Sequence, residues 1–296
     1  DCVKRLNGMF AFAIHERDSG RVVLARDRLG IKPLYYSEGP NRLRFASSLP
    51  ALLAAGGVDT SIDPVALNFY MTFHSIVPPP RTILSGVKKL PPATVATIEP
   101  DGTMQQQRYW DISFGGRPEQ AGFTEDDWIE ATLDVMRRAV KRRLVADVPV
   151  GVLLSGGLDS SLVVGLLCEH GNSGIETFSI GFDAVGGEAG DEFQYSDIIA
   201  NRYQTRHHKL SIDAARTLPA LRECIGQMSE PMVSHDNVGF YLLSQEVAKF
   251  VKVVQSGQGA DEIFAGYHWY PPMLEATDAL ATYRQGFFDR NFGEYQ

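Results

Sequence analysis

Residues 148–167, VPVGVLLSGGLDSSLVVGLL, decide how the rest of this sequence is interpreted. The apolar first part predicts a buried β-strand that ends at Leu154, and the apolar last part predicts a helix that begins near Leu158. Ser155, Gly156 and Gly157 lie between them. Glycines let backbone amides approach a ligand, and the N–H groups at a helix N-terminus attract anions. This first glycine turn (residues 155–157) therefore predicts a phosphate or pyrophosphate site at the carboxyl edge of a sheet.

The helix terminus cannot hold a nucleotide by itself. It contributes at most about 2 kcal/mol, whereas micromolar binding needs about 8 kcal/mol. Asp159 would repel a bare pyrophosphate but suits Mg²⁺ that bridges to it, and Ser155, Ser160 and Ser161 supply hydroxyl donors. A strand–turn–helix with glycines for packing alone is the plain alternative, which the long string SGGLDSS disfavours. The string is not a Walker A loop, because no Gly-Lys-Ser/Thr follows.

A second glycine turn (residues 256–259) follows another apolar run in residues 251–267, VKVVQSGQGADEIFAGY. Parallel strands end at the same edge of a sheet, so Asp261 is expected to face Asp159 as a second Mg²⁺ ligand. Ser256 and Gly257 would offer their backbone to the nucleotide. Taken alone, this segment is better explained as a solvated turn with an acidic helix start, and only its pairing with SGGLDSS favours the nucleotide site.

The remaining pattern predicts two regions. From Leu6 to about Ile112, short apolar runs between turn signals predict antiparallel strands. From about Thr124, an N-cap candidate, strands and helices alternate, which predicts an α/β fold: a doubly wound, mostly parallel sheet with helices on both faces. Residues 114–127 are predicted to form the linker between these two regions.

Composition limits the function classes. The chain has 296 residues and a formal net charge of −8, which argues against a nucleic-acid partner. It has no apolar run near the roughly 18 residues that span a bilayer, and its start lacks a signal-peptide layout. Three scattered cysteines favour a reducing, cytoplasmic setting. We expect small-molecule partners, with no nucleic acid and no membrane, and leave a homodimer open. The ends suggest an internal piece of a longer protein.

The string SGGLDSS resembles the pyrophosphate loop of the ATP pyrophosphatase (HUP-like) superfamily, whose members split ATP into AMP and pyrophosphate. Together with the second glycine turn and TFSIGF at residues 177–182, the sequence resembles the synthetase domain of asparagine-synthetase-type amidotransferases. The resemblance implies ATP and Mg²⁺ as cofactors. It also implies backbone contacts from Leu154 and Ile180 to the adenine, and places Ser256 and Gly257 near the ribose and phosphate.

Residues 6–36, LNGMFAFAIHERDSGRVVLARDRLGIKPLYY, followed by LRFASSLPALLA, are similar to the latter part of a class II glutaminase domain, an α+β fold with an N-terminal nucleophile. The resemblance implies a truncated glutaminase part at 1–118 and a truncated synthetase part at 119–296. The family's nucleophilic Cys would lie upstream, so this stretch alone should not hydrolyse glutamine, and Cys2 is interpreted as a buried or half-buried small residue. Arg26, Asp27 and Arg28 are expected to form ion pairs.

Gln258 stands where asparagine synthetases usually carry Glu. An amide cannot act as a general base or pair with an ammonium group, so an acceptor other than aspartate is favoured. Residues 228–272 look closest to N-acetylglutaminylglutamine amidotransferases, which amidate a terminal carboxylate. The alternatives are asparagine synthetase, a tRNA-modifying thiolase, and a non-catalytic nucleotide-binding regulator. The acceptor, the oligomeric state and the true termini stay open.

The predicted catalytic residues are Asp159, Gln258 and Asp261, and the two aspartates are the predicted metal ligands. The predicted ATP-binding residues are Leu154, Ser155, Gly156, Gly157, Asp159, Ser160, Ser161, Ile180, Ser256 and Gly257.

Other candidates are weaker. Glu230 and Asp236 flank a predicted loop and either position the acceptor or are solvated. His207 and His208 should point to opposite faces of a strand, which argues against joint metal binding. Residues 267–272, YHWYPP, either line an acceptor pocket or form a packed aromatic cluster.

Overall fold

The computed structural model describes residues 2–40, 42–169, 171, 174–182, 193–234 and 236–288. The chain forms two compact units. The first comprises Asp1–Gly115, Ile225–Ser234 and Leu280–Gln296, and the second comprises Gly116–Cys224 and His235–Ala279. The predicted division at residue 118 stays a prediction, and its outer ends at residues 1 and 289–296 lie outside the described residues.

The first unit is built on antiparallel strands. Its elements are β1 (Ala11–His15), β2 (Val22–Arg26), β3 (Tyr35–Gly39), β4 (Arg42–Ala46), α1 (Leu49–Ala54), α2 (Pro64–Thr72), β5 (Lys88–Lys89), β6 (Thr94–Ile98) and β7 (Met104–Arg108). One sheet has the order β1-β2-β6-β7 and another has the order β4-β3-β5. Leu24, Tyr36, Leu90 and Ala96 belong to one of the buried apolar clusters of this unit.

Two helices of the first unit were not predicted. Helix α2 begins after Asp63, whose carboxylate accepts hydrogen bonds from the N–H groups of Val65 (2.8 Å) and Ala66 (3.2 Å). Pro64 occupies the first helical position. An N-cap acid followed by proline is a recognised helix start. The signal was present, but the strand pattern on either side obscured it.

Among the described residues, the ion pairs expected of the Arg26–Asp27–Arg28 segment are not found, and these side chains bond to backbone groups. Asp27 is 1% exposed and accepts from the N–H groups of Ile31 (3.0 Å) and Lys32 (2.9 Å). Arg26 donates to the carbonyl oxygen of Leu90 at 2.7 Å. Successive residues of an extended chain point to opposite sides, so neighbouring charges seldom pair.

Cys2 also differs from expectation. It is exposed, and it lies in the short 3-10 helix Cys2–Lys4, whose buried residue is Val3. A single turn packs one face only, and that face is taken by the larger apolar side chain.

The second unit has the predicted alternation. The elements from residue 125 onward are α3 (Glu125–Arg142), β8 (Val150–Leu153), α4 (Leu158–Glu169), β9 (Glu176–Phe182), α5 (Phe193–Tyr203), β10 (Arg206–Ile212), α6 (Thr217–Gln227), α7 (Asp236–Val247), β11 (Val253–Gln255), α8 (Ala260–Phe264), α9 (Pro271–Leu274) and α10 (Ala279–Phe287). Of these, the last three residues of α6 and all but the first residue of α10 are assigned to the first unit. The sheet order is β10-β9-β8-β11, and each pairing is parallel. The predicted α/β fold class is confirmed.

Helices cover both faces of this sheet. Val152 and Leu154 pack with α4 residues such as Val164 on one face. Leu153 packs with Leu243 of α7 on the other. This alternation is the two-residue period of a strand. Within the described residues, none of the helices is both long and apolar enough to cross a membrane.

The sheet has one reversal of strand order that matters for binding. The chain leaves β8 towards β9 on one side, and later returns to β11 on the other side of β8. Ligands of open parallel sheets bind beyond the carboxyl ends of the strands at such a reversal. The two glycine turns follow β8 and β11, the strands on either side of it.

Candidate active site

The two glycine turns lie in direct contact. Strand β11 pairs with β8 so that Val254 is opposite Gly151, and both strands therefore end at the same level. A Cβ atom at Gly257 would lie 2.8 Å from the Cβ of Asp159 and 2.8 Å from the backbone nitrogen of Ser160. Only a residue without a side chain permits this approach. Two segments a hundred residues apart in sequence thus form one surface.

The first glycine turn is fixed by its packing. Gly156 has a φ of 89°, and a Cβ there would lie 2.5 Å from the Cβ of Tyr195 and 2.6 Å from the nitrogen of Ser196. The start of α5 thus supports the turn from behind. Glycine is needed both for the backbone conformation and for the close contact.

Ser155, Ser160 and Ser161 stabilise the first glycine turn by hydrogen bonds. Ser155 Oγ accepts from the N–H of Gly157 at 3.2 Å and shares a hydrogen bond of 3.1 Å with Ser160 Oγ. Ser161 Oγ donates to the carbonyl oxygen of Gly157 at 2.6 Å. The predicted role as phosphate donors would require the hydroxyls to rotate, which needs little movement of heavy atoms.

Asp159 and Asp261 form an acidic pair at the junction of the turns. Partial burial, and then the negative charge of Asp261, raise the pKa of the Asp159 carboxyl. Both carboxylates line the same cavity, so their like charges lie on one surface. Such a pair is stabilised when a cation lies between or beside them.

The residues fit a magnesium ion shared with a substrate. Mg²⁺ in nucleotide sites binds to one or two carboxylates and completes its shell with phosphate oxygens and water. Within the described part of the chain, no group of three or more His, Cys, Asp or Glu side chains could hold a metal alone. The pair Asp159–Asp261 thus suits an ion that arrives with a polyphosphate.

A cavity of about 760 Å³ opens over the two turns, within the usual size range of small-molecule sites. It is lined by Leu153, Leu154, Ser155, Gly157, Asp159, Ser160, Phe178, Ser179, Ile180, Asp236, Phe240, Leu243, Ser256, Gly257, Gln258 and Asp261. Among the described residues that line it, three are carboxylates and none is Lys or Arg.

Most of the predicted site residues meet in this cavity, and two do not line it. Gly156 packs against Tyr195 instead, and Ser161 bonds to the backbone of its own turn. Their contribution is to the shape of the turn.

One wall of the cavity was only partly foreseen. Asp236, Phe240 and Leu243 of α7 line it at helical spacings of four and three residues, so they share one face of the helix. That spacing was readable in the sequence. The sequence did not indicate which face of α7 would line the cavity.

Glu230, weighed together with Asp236, lies elsewhere. It belongs to the first unit, where it accepts hydrogen bonds from Tyr35 Oη (3.1 Å) and Lys89 Nζ (2.9 Å). Burial and then the charge of Glu230 raise the pKa of Tyr35 to about 12. Asp236 lines the cavity and Glu230 does not.

The histidine pair points to opposite faces, as predicted. His207 shares a hydrogen bond of 2.9 Å with Thr177 Oγ1, while His208 bonds to Glu176 at 2.6 Å and stacks on Phe178. Burial lowers the pKa of His207. Both histidines have structural partners within the fold.

The aromatic segment after α8 packs on itself. The rings of Tyr267 and Trp269 stack with centroids 4.4 Å apart, and Tyr270 stacks on Tyr267 at 6.1 Å. None of these described rings lines the cavity. The packed-cluster alternative thus describes their geometry.

Comparisons with known proteins match both units. The family model "Asparagine synthase" matches residues 131–294, and the model "Glutamine amidotransferase domain" matches residues 1–110. Glutamine-hydrolysing asparagine synthetase 1 of Bacillus subtilis is 34% identical over 270 residues, which cover 91% of this chain and 41% of that protein.

Two further relatives agree. A putative glutamine-hydrolysing asparagine synthetase 2 of Methanocaldococcus jannaschii is 34% identical and covers 90% of this chain and 51% of that protein. A putative asparagine synthetase of Mycobacterium tuberculosis is 34% identical, with coverage of 95% and 43%. The chain thus spans between 41% and 51% of the length of these relatives.

Proposed function

Since this chain belongs to the asparagine synthase family, we propose that it acts in an amidotransferase reaction that activates a carboxylate with ATP and amidates it with ammonia from glutamine. The observation that carries the proposal is the contact between the two glycine turns at Gly257 and Asp159. It joins a phosphate-type turn, an acidic pair and an apolar cavity in one place.

The reaction has two balanced steps. An oxygen of the acceptor carboxylate attacks the α-phosphorus of ATP, the bond to the bridging oxygen breaks, and pyrophosphate leaves with the electron pair. Ammonia then attacks the carbonyl carbon of the acyl-adenylate, AMP leaves, and a proton passes to solvent. The products are an amide, AMP and pyrophosphate.

The residues of the second unit divide these tasks. The first glycine turn and the N-terminus of α4 would hold the pyrophosphate, since backbone N–H groups there face an anion. Leu154 and Ile180 would meet the adenine, and Ser256 and Gly257 the ribose and α-phosphate. Mg²⁺, held by Asp159 and Asp261, would neutralise negative charge on the leaving group.

For the acceptor, we propose N-acetylglutaminylglutamine. Gln258 lines the cavity, and its neutral amide offers no charge to an acceptor's ammonium group. A blocked dipeptide has no free α-amine, so its binding does not need a charged side chain that pairs with an ammonium group. The main alternative is aspartate, and the names of the relatives support it. A regulator that binds ATP without chemistry is the alternative from another class.

We also propose a cytoplasmic setting with small-molecule partners. The three cysteines are free, which suits a reducing compartment, and the net charge of −8 disfavours nucleic acid. A homodimer is compatible with the proposal but no feature of the site requires it.

Acceptor-dependent exchange of radiolabelled pyrophosphate into ATP tests the proposal. We expect exchange with N-acetylglutaminylglutamine, and at least about a hundredfold loss in Asp159→Ala, because the leaving group loses its cation. Asp126→Ala is the matched control, since it also removes an acid from a first helical turn, in α3, away from the cavity.

Each other outcome has a separate meaning. Exchange with aspartate alone would favour asparagine synthesis. Binding of ATP without exchange, for any acceptor, would favour the regulator. Absence of ATP binding would contradict the proposal altogether.

A further inference from the structure

Asp236 is a cavity carboxylate that the proposed reaction does not use. It is the first residue of α7 and lies on the same face as Phe240 and Leu243. The charge that acts on Asp159 comes from Asp261, at the start of α8 after the second glycine turn. Asp236 belongs to a different element, helix α7, and is not part of the acidic pair.

The rest of this wall is apolar. Leu243 is 6% exposed and packs with Phe178 in the core, which places it at the base of the wall. Phe240 is 39% exposed and presents a ring surface to the cavity. An aromatic ring in the same cavity as Ile180 suits the flat face of a nucleotide base.

Asp236 lies one helical turn beyond Phe240. Four residues of an α-helix rise about 6 Å, which is close to the step from a base to its ribose. Helix α7 runs back towards the start of β11, so its N-terminus lies at the carboxyl edge of the sheet, where the glycine turns are. A nucleotide with its base on Phe240 and its phosphates at the turns would have its ribose between them, in the cavity that Asp236 also lines.

The chemistry of a carboxylate agrees with this position. An ionised carboxylate only accepts hydrogen bonds, so it matches the two neighbouring hydroxyls of a ribose. It would repel the phosphates, and its charge also offsets the anion-attracting end of α7. A phosphate is thus the wrong neighbour for Asp236, and a hydroxyl donor is the right one.

We propose that Asp236 accepts hydrogen bonds from the ribose hydroxyls of the bound nucleotide and so makes the cavity selective for ribonucleotides over deoxyribonucleotides. The inference rests on the proposed function of the same cavity as an ATP site. An N–H group of the acceptor is the competing partner for this carboxylate, and it is less favoured because the acceptor must reach the α-phosphate beside the two turns.

Binding affinities of matched nucleotides test the inference. Calorimetry with excess Mg²⁺ gives the dissociation constants of ATP, 2′-deoxy-ATP and 3′-deoxy-ATP for the 296-residue chain. We expect about tenfold weaker binding of at least one deoxynucleotide to the unchanged chain. In Asp236→Ala this ratio should fall to near one, and in Asp236→Asn, which keeps one acceptor oxygen, it should lie in between. Asp126→Ala should keep the full ratio.

The outcomes separate this inference from the function on which it rests. A chain that binds no ATP defeats both. A chain that binds ATP but does not discriminate against either deoxynucleotide overturns the inference alone. The same holds if Asp236→Ala keeps the ratio, including the case where that variant weakens binding of the acceptor instead.

Discussion

The two glycine turns have similar sequences but are held in different ways. In the first, Gly156 fits against the start of α5, and the serine hydroxyls bond to the turn itself. In the second, Gly259 has a φ of 90° but faces open space, and Ser256 Oγ accepts from the N–H of Gln258 at 3.1 Å. The second turn meets the site through Gly257, which touches Asp159. We infer that the position of the first turn is fixed by its packing against α5, whereas the position of the second turn is fixed by its contact with Asp159 and Ser160.

The largest effect is expected at Gly156. Gly156→Ala would place a Cβ 2.5 Å from that of Tyr195, in a backbone conformation that L-residues rarely adopt. We expect loss of ATP binding by at least about a hundredfold, and destabilisation by a few kcal/mol, because strain and overpacking add. Calorimetry and thermal unfolding measure the two effects.

Gly171→Ala is the control for conformation alone. Gly171 has a similar φ of 79°, but a Cβ there would meet nothing within 4 Å. It should cost about 1–2 kcal/mol of stability and leave ATP binding unchanged. If both variants behaved alike, packing against α5 would not be what fixes the first turn.

The next largest effect is expected at Gly257. Gly257→Ala would force the two turns apart at Asp159 and Ser160, while the fold stays intact because the contact is at the edge of the sheet. We expect ATP binding in the presence of Mg²⁺ to weaken by roughly tenfold or more, since a displacement of about 1 Å in a site has effects of that size or larger. Gly259→Ala, which adds a methyl group in open space, should have a smaller effect on binding. Equal effects would show that the contact between the turns is unimportant.

A smaller effect, of opposite sign, is expected on stability at the acidic pair. The raised pKa of Asp159 means that the folded state binds its proton more tightly than the unfolded state. Stability therefore falls as the pH rises through that pKa, and the penalty is present at pH 7. Asp261→Asn removes the repulsion, so without Mg²⁺ the melting temperature at pH 7 should rise by about one to three degrees.

The same variant should lose the stabilisation that Mg²⁺ and ATP give to the unchanged chain. Thermal unfolding with and without ligand measures both changes. A lower melting temperature of Asp261→Asn in the absence of Mg²⁺ would contradict the like-charge account.

The smallest effect is expected at Ser161. Ser161→Ala removes one hydrogen bond to the carbonyl oxygen of Gly157, in a turn that has other support. One such bond is worth about 1 kcal/mol, so ATP affinity should fall by no more than about fivefold. A much larger loss would instead assign the Ser161 hydroxyl directly to the phosphate, as the sequence suggested.

The sequence predicted what depends on local pattern. Strand runs around Val152 and Val254, helical spacing in α4 and α7, and the glycine turns were all readable, and together they imply that the turns share one sheet edge. The parallel order of the sheet then follows from βαβ connections. Helix α6, like α1 and α2, was missed because each is short and carries a proline in its first turn, which in a sequence is typical of a break.

Side-chain partners were harder to predict, because they depend on which face of each element is buried. Asp27 was expected in an ion pair, whereas the partners described for its carboxylate are backbone N–H groups. Glu230 and Asp236 are six residues apart and looked equivalent, yet one bonds to Tyr35 and the other lines the cavity. Long-range packing makes that distinction, and no local pattern records it.

A double-mutant cycle on Asp159 and Asp261 tests the central claim, that both turns hold one Mg²⁺–ATP complex. The measurement is the dissociation constant of ATP with saturating Mg²⁺ for the unchanged chain, Asp159→Asn, Asp261→Asn and the double variant. If the carboxylates share an ion, each single variant should lose most of the affinity and the double variant little more. If the two losses multiply as independent effects, the turns do not act on a common ion, and the account is wrong.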